Sequence, residues 1–199
     1  EKPVIAEALC VGCGICVHKC PFEAIKIIGL SAELAGEMDH QFGVNGFRLY
    51  RMPVPMKGQV VGILGPNGIG KTTAINILSG AMVPNLGDLE NKPSWEKVLA
   101  KYKGTETHTY LSEVAAGKTK TAMKPQYVDK LPKVHKGKVR TLLKKVDETG
   151  KMDEVASLLG IDKALGNDIA ELSGGELQRV AMAATMLKDA DVYFFDEPS

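Results

Sequence analysis

The amino-acid sequence predicts an α/β fold with a mainly parallel sheet, preceded by a partial α+β unit organised around cysteines. Gln59-Val60-Val61-Gly62-Ile63-Leu64 reads as a buried strand entering a glycine-rich turn and then a helix, and Val192-Tyr193-Phe194-Phe195 reads as a second buried strand. Strands alternating with helices imply a parallel sheet covered on both faces. The front of the chain is set apart because all four cysteines lie between Cys10 and Cys20.

Composition narrows the class. Of 199 residues, 44% are apolar and 25% charged, which is globular rather than disordered. No window approaches the ~18 unbroken apolar residues of a spanning helix, and Glu1-Lys2-Pro3 does not open a signal peptide. A cytoplasmic protein without a membrane partner is expected. The clustered cysteines agree, since a disulfide framework would staple the whole chain whereas clustering suggests metal ligation in a reducing compartment. The net charge of +1 conceals an asymmetry: residues 118–145 hold ten Lys/Arg against Asp129 alone, a local excess of +9. The first residue is not Met and the last four fall inside a motif, so a piece cut at both ends is expected.

Taken in order, residues 1–30 form the cysteine unit and end in a short strand, Ile25-Lys26-Ile27-Ile28. Residues 31–57 form a connection, extended near Met52-Pro53-Val54-Pro55 because proline restricts its predecessor. Residues 58–199 form the α/β domain. Its first helix carries Ala74, Ile75, Ile77 and Leu78, with Gly80 placed to end it. Helix-like stretches Trp95 to Tyr102 and Thr109 to Ala116 flank Gly104, a helix–loop–helix over about 94–116. Pro125 and Pro132 interrupt the basic segment. A short amphipathic helix follows over 152–159, and a stronger one over Glu176 to Lys188 places Leu177, Val180, Ala181, Ala184 and Leu187 on one face.

Cys10, Cys13, Cys16 and Cys20, followed by Pro21, make C-x₂-C-x₂-C-x₃-C-P, the run that bacterial ferredoxins use for [4Fe–4S] clusters. The short spacing lets three thiolates converge, and Gly12 and Gly14 allow the tight wrapping. In two-cluster ferredoxins the fourth cysteine of such a run ligates the other cluster. Two [4Fe–4S] clusters are therefore expected in the full-length protein, with the remaining thiolates upstream of Glu1. Structural zinc is the competing reading, although it usually uses well-separated Cys-x₂-Cys pairs. His18 reads as a surface residue.

Gly65-Pro66-Asn67-Gly68-Ile69-Gly70-Lys71-Thr72 fits G-x-x-x-x-G-K-[ST] between a predicted strand and a predicted helix, the context this phosphate loop requires. Its glycines let successive N–H groups converge on phosphate oxygens, and the helix N-terminus, with Thr73, adds its positive end. Lys71 is expected on the β- and γ-phosphates of ATP and the Thr72 hydroxyl on Mg²⁺. At the other end, a strand runs into Asp196-Glu197. There Asp196 can hold Mg²⁺ through water, and Glu197 can polarise the attacking water as general base. Leu172-Ser173-Gly174-Gly175-Glu176 reads locally as a capping box, Ser173 with Glu176. Its two glycines exceed what a cap needs and leave bare N–H groups that another phosphate could approach.

With Gln178-Arg179 behind it, this segment resembles the LSGGE/LSGGQ signature of ATP-binding-cassette ATPases, which are P-loop NTPases. The order of motifs is also theirs: phosphate loop, Gln126, signature, Asp196-Glu197. The resemblance implies that Leu172 to Glu176 cap the γ-phosphate held by a second, opposing nucleotide domain, and that Gln126 senses Mg²⁺ and the attacking water. A cysteine front end ahead of a cassette is similar, over essentially the whole chain, to the RNase L inhibitor family, the ribosome-recycling E subfamily. That likeness implies an ABC-type ATPase that splits ribosomes, with a ferredoxin-like domain (1–30), a connection and adenine-side segment (31–57) and a first nucleotide-binding domain (58–199). It further implies a helix–loop–helix (94–116) on the small ribosomal subunit, a release or rescue factor as partner, and a second nucleotide domain in the same chain, and the basic segment 118–145 fits contact with rRNA phosphates. Phe42 and Phe47 sit where the family places adenine-stacking aromatics, although it usually has Tyr at the first. Two rivals stay open: an ATP-coupled electron-transfer protein, which would lack Leu172–Glu176, and a transporter's energising subunit, which gives the cysteines no task.

Overall fold

The computed structural model describes residues 15–22, 38–44, 46–124 and 126–198. Cys10, Cys13 and the strand expected over Ile25–Ile28 lie outside the described residues. A short helix α1 (Ile15–Lys19) carries Cys16, and Cys20 follows its end.

Strands β1 (Met38–Gln41) and β2 (Arg48–Tyr50) form an antiparallel hairpin with His40 opposite Leu49 and Gln41 opposite Arg48. Asp39, His40 and Gln41 are all buried, so their polar groups need partners. The Asn85 side chain supplies two, accepting from the Gln41 N–H and donating to the Gln41 carbonyl, both at 2.9 Å. Asp39 is a hub. Its carboxylate accepts from the Met52 N–H at 3.0 Å, from Lys101 Nζ at 2.6 Å and from the Tyr102 hydroxyl. Burial first, and the bond to Asp39 second, push the Tyr102 phenol far above its ordinary range.

Lys101 and Tyr102 stand at the end of α3 (Trp95–Lys101), so the hub fastens the hairpin to a helix sixty residues downstream. Removing one partner of such a buried pair leaves the other charge uncompensated. Asp39→Ala should therefore cost about 2–4 kcal/mol, less than a fully enclosed pair because Lys101 remains partly exposed. Faster hydrogen exchange at both β1 and α3 amides would report it, whereas unchanged exchange at α3 would show that the hub does not join them.

The phosphate-loop helix α2 (Lys71–Leu78) buries Ala74, Ile75, Ile77 and Leu78. Helices α3 and α4 (Glu106–Ala115) turn about Gly104 at φ 84° and pack through Val98 and Leu111, both fully buried. α4 starts three residues before the expected Thr109, because the Thr105 hydroxyl caps it by accepting from the His108 N–H. With β2 and Phe194, these helices enclose one hydrophobic core.

Strand β3 (Thr121–Lys124) pairs in parallel with β4 (Val192–Phe195), Lys124 standing opposite Phe195. A parallel pair needs a long crossover, and here it is helical: α5 (Leu131–Val134), α6 (Val139–Val146), α7 (Met152–Leu158) and α8 (Gly174–Met186). These helices build a second core through Leu143, Ala156, Val180 and Leu187, with Leu131 of α5 packed against it. α8 packs on β3 and β4. From α2, the Ser79 carbonyl accepts a bond from the Thr121 hydroxyl at 2.9 Å. The parallel pair thus joins the two cores.

One expected element is absent. Gln59–Leu64 forms no strand; Val60 is 101% exposed and Leu64 95%. A strand must have a neighbour to complete its backbone ladder, and among the described residues no strand pairs with this segment. Ile63, like Val192, packs against the core that holds Phe194, but the apolar composition alone does not make a strand without the ladder.

Candidate active site

The phosphate loop keeps its form through glycine and through the hairpin below it. Gly68 and Gly70 adopt φ of 85° and 97°, a region costly for any residue with a Cβ. At Gly70 a Cβ would also stand 2.3 Å from the Phe47 ring and 3.2 Å from Leu49 Cδ1. Gly70 is the N-cap of α2 and offers no side-chain acceptor, so the first-turn N–H groups of the helix stay open. The Lys71 ammonium donates to the Gly65 carbonyl at 2.8 Å and the Pro66 carbonyl at 3.1 Å.

A cleft of about 440 Å³ opens here, within the size range of small-molecule sites. Asn67, Gly68, Gly70, Lys71, Thr72 and Thr73 form its floor, Phe42 and Phe47 one wall, and Gln126 and Glu197 another. Residues distant in sequence thus converge on one space. Gly65, Pro66 and Ile69 belong to the loop but do not line the cleft. Asp196 lies just beneath, 5% exposed, and its carboxylate accepts a bond from the Thr72 hydroxyl at 2.6 Å. A hydroxyl, a carboxylate and an amide beside a phosphate loop are hard oxygen donors of the kind Mg²⁺ takes, so the residues present fit a magnesium nucleotide. Glu197 has φ 46°, a strained value for a non-glycine residue.

The two phenylalanines differ. Phe47 packs down on Gly70 and the α2 core, whereas Phe42 is 48% exposed, its ring centroid 6.4 Å from that of Phe47. An edge-on contact with His40 at 4.4 Å steadies Phe42. Phe42 therefore has the open face.

The signature segment lies apart from this cleft, and none of Leu172, Ser173, Gly174, Gly175 or Glu176 lines it. Ser173 caps α8, and the capping box is complete: the Glu176 N–H donates to Ser173 Oγ while the Ser173 N–H donates to Glu176 Oε2 at 2.9 Å. The bonds from Ser173 hold the Glu176 carboxyl below its ordinary range. Leu172 is buried as the anchor, whereas Ser173, Gly174 and Gly175 are exposed. A helix start that is internally capped and outwardly bare can meet an anion brought by another surface. Cys16 on α1 and Cys20 just past its end are half-buried, and His18 is exposed.

A family model described as ABC transporter matches residues 55–199. The chain belongs to the ABC transporter family. A second family model, a 4Fe-4S binding domain, matches residues 3–26, which places an iron–sulfur unit ahead of the ABC nucleotide-binding fold. ABC transporter E family member 1 of Arabidopsis thaliana is 49% identical over 199 residues, all of this chain and 33% of that protein. Among solved structures, an archaeal ribosome recycling factor, aABCE1, in complex with the ribosomal stalk protein aP1 is 50% identical with a TM-score of 0.78, over 84% of this chain and 32% of that one. A structure of ribosome-bound archaeal Pelota and ABCE1 is 54% identical with a TM-score of 0.79, over 99% of this chain and 33% of that one. The chain spans about one third of the length of these relatives. The likeness to the E subfamily of the ABC class runs along its whole length.

One residue behind the Asp196-Glu197 turn has no role assigned from the sequence. Lys124 ends β3, only 1% exposed, and its ammonium donates to the Asp196 carbonyl at 3.0 Å and the Glu197 carbonyl at 3.3 Å. Burial lowers its pKa, against the pull of Asp196 and Glu197. It is one of ten cations in the basic segment, the other nine being exposed, and charge alone does not separate it. Periodicity could have done so, since in Thr121-Ala122-Met123-Lys124 it falls in phase with buried Ala122.

Proposed function

We propose that this chain is the iron–sulfur front and first nucleotide-binding domain of an ABC-type ATPase that binds and hydrolyses ATP to separate ribosomes into subunits. The observation that carries the proposal is the meeting of Lys71, Thr72, Asp196, Gln126 and Glu197 at one cleft, in a chain that resembles an archaeal ribosome recycling factor over most of its length. The ferredoxin-like segment is assigned to 1–30, the connection and adenine-side segment to 31–57, and the nucleotide-binding domain to 58–199 with its helix–loop–helix at about 94–116.

Phe42 stacks on adenine, with Phe47 behind it as packing. The backbone N–H groups of the loop and first turn over Gly65–Thr73, of which Pro66 has none, and the Lys71 ammonium grip the phosphates. Thr72, Asp196 and Gln126 would hold Mg²⁺, which would supply positive charge against the phosphate oxygens. Glu197 takes the proton of the attacking water. Leu172 to Glu176 complete the site of an opposing nucleotide domain, expected in the same full-length chain. Cys10, Cys13 and Cys16 hold one [4Fe–4S] cluster, and Cys20 belongs to a second. Thiolates suit such clusters, and the two described cysteines are thiols within one helical turn and its end.

The exposed cations Lys130, Lys133, Lys136, Lys138, Arg140, Lys144 and Lys145 would meet rRNA phosphates on the small subunit, alongside a release or rescue factor, in the cytoplasm. Among the described residues no helix is long and apolar enough to cross a membrane. The test is sedimentation of the full-length protein with a slowly hydrolysed ATP analogue. It should travel with small ribosomal subunits, and raising salt from 50 to 200 mM should weaken that association at least tenfold if several phosphates are contacted. Sedimentation with membranes instead would remove the reading.

A further inference from the structure

We propose that Lys124 is a positioning residue for the catalytic carboxylates: its buried ammonium clamps the backbone carbonyls of Asp196 and Glu197 and so fixes where both side chains point. This rests on the roles proposed for Asp196 and Glu197. Three observations support it.

The first is placement. β3 and β4 run in register to Lys124 opposite Phe195, and there both strands leave the sheet toward the cleft, one to Gln126 and the other to Asp196-Glu197. Lys124 thus sits at the fork and bonds across it, 72 residues away in sequence. The second is strain. Glu197 is held at φ 46°, and a residue with a Cβ stays there only when its surroundings over-determine it. The bond from Lys124 to the Glu197 carbonyl bears on the very peptide that this rotation turns.

The third is cost. An ammonium 1% exposed is expensive to desolvate, and an apolar residue would fill the same space without that penalty. Asp196 at 5% exposure is meanwhile committed by its side chain to Thr72, so its backbone is the part left for a separate restraint. A buried cation bonded to both carbonyls of one strained turn is explained if that turn must be held in one geometry. The Gln126 strand and the Asp196-Glu197 strand then move as one unit.

The experiment uses the full-length protein with Lys124→Met, which keeps length and removes the donor, and Lys124→Gln, which keeps a neutral donor. ATP retention is measured against Mg²⁺ concentration, separately from turnover. Lys124→Met is expected to raise the half-maximal Mg²⁺ about tenfold and to slow turnover about 10- to 100-fold, with Lys124→Gln between it and the parent. Retention of ATP without Mg²⁺ should stay within about threefold, because the phosphate loop is untouched. An unchanged Mg²⁺ dependence in either folded variant overturns the proposal, and so does failure of both variants to fold, which would make Lys124 a folding element. Asp196→Asn is run beside them. If it loses Mg²⁺ dependence while the Lys124 variants do not, the positioning role alone fails. If Asp196→Asn is also unaffected, the assignment of Asp196 fails with it.

Discussion

Glu197→Gln is expected to stop turnover at this site while leaving ATP bound. The amide keeps the shape and hydrogen-bonding reach of the carboxylate but cannot accept the proton of an attacking water, and a positioned general base contributes about 10²- to 10⁴-fold. The grip on the triphosphate comes from the floor of the cleft, the phosphate loop and first turn of α2, so affinity should remain within about threefold of the parent. Gln tolerates the backbone of position 197, at φ 46°, no worse than Glu, so the turn should persist. Phosphate release in a single turnover of the full-length protein, with filter retention of ATP measured in parallel, separates the two effects. Hydrolysis near the parental rate would remove Glu197 as the base. Loss of binding together with hydrolysis would instead mean that the substitution disturbed the turn that Lys124 holds.

What the sequence makes legible here is chemistry that is local in the chain. The phosphate loop is readable because glycine conformations, lysine and threonine all fall within eight residues, and the structure places them at one cleft floor or its rim. Ser173 and Glu176 are readable for the same reason, since a capping box closes over three residues. Phe194 and its neighbours form a strand because apolar β-formers also have a parallel partner waiting at 121–124.

Legibility fails where the cause lies far away. Val60 and Leu64 carry the same apolar signal as β4, yet no strand pairs with their segment among the described residues and they stay exposed. The reverse holds for β1: Asp39-His40-Gln41 falls in the segment read as a connection, but Asn85, Lys101 and Tyr102, 44 to 63 positions onward, supply the partners that let it be buried. Lys124 is hidden in the same way, because nothing in a run of lysines says which one meets two carbonyls 72 and 73 residues later. Sequence patterns report which groups want burial or a partner, and long-range pairing decides which of them find one.

Lys71→Ala carries the second large effect, and it falls on binding. In this structure the ammonium bridges the Gly65 and Pro66 carbonyls across the mouth of its own loop. That position lines the cleft, so a triphosphate seated on the α2 N-terminus would exchange neutral carbonyl partners for anionic oxygens. Hydrogen bonds gain strength when both partners are charged, and losing such a partner in a binding site costs roughly 2–4 kcal/mol, about 30- to 1,000-fold in affinity. The bracing of the loop itself is a smaller matter. Its bonds are solvent-exposed, and Gly68, Gly70 and Phe47 hold the loop's curvature independently, so thermal stability should change little. Titration with ATP should therefore show one nucleotide fewer per chain at concentrations that saturate the parent, without a matching fall in melting temperature. Should affinity stay within about threefold, the amides and the open helix terminus alone would suffice to hold the phosphates, and Lys71 would be only a strut of the loop.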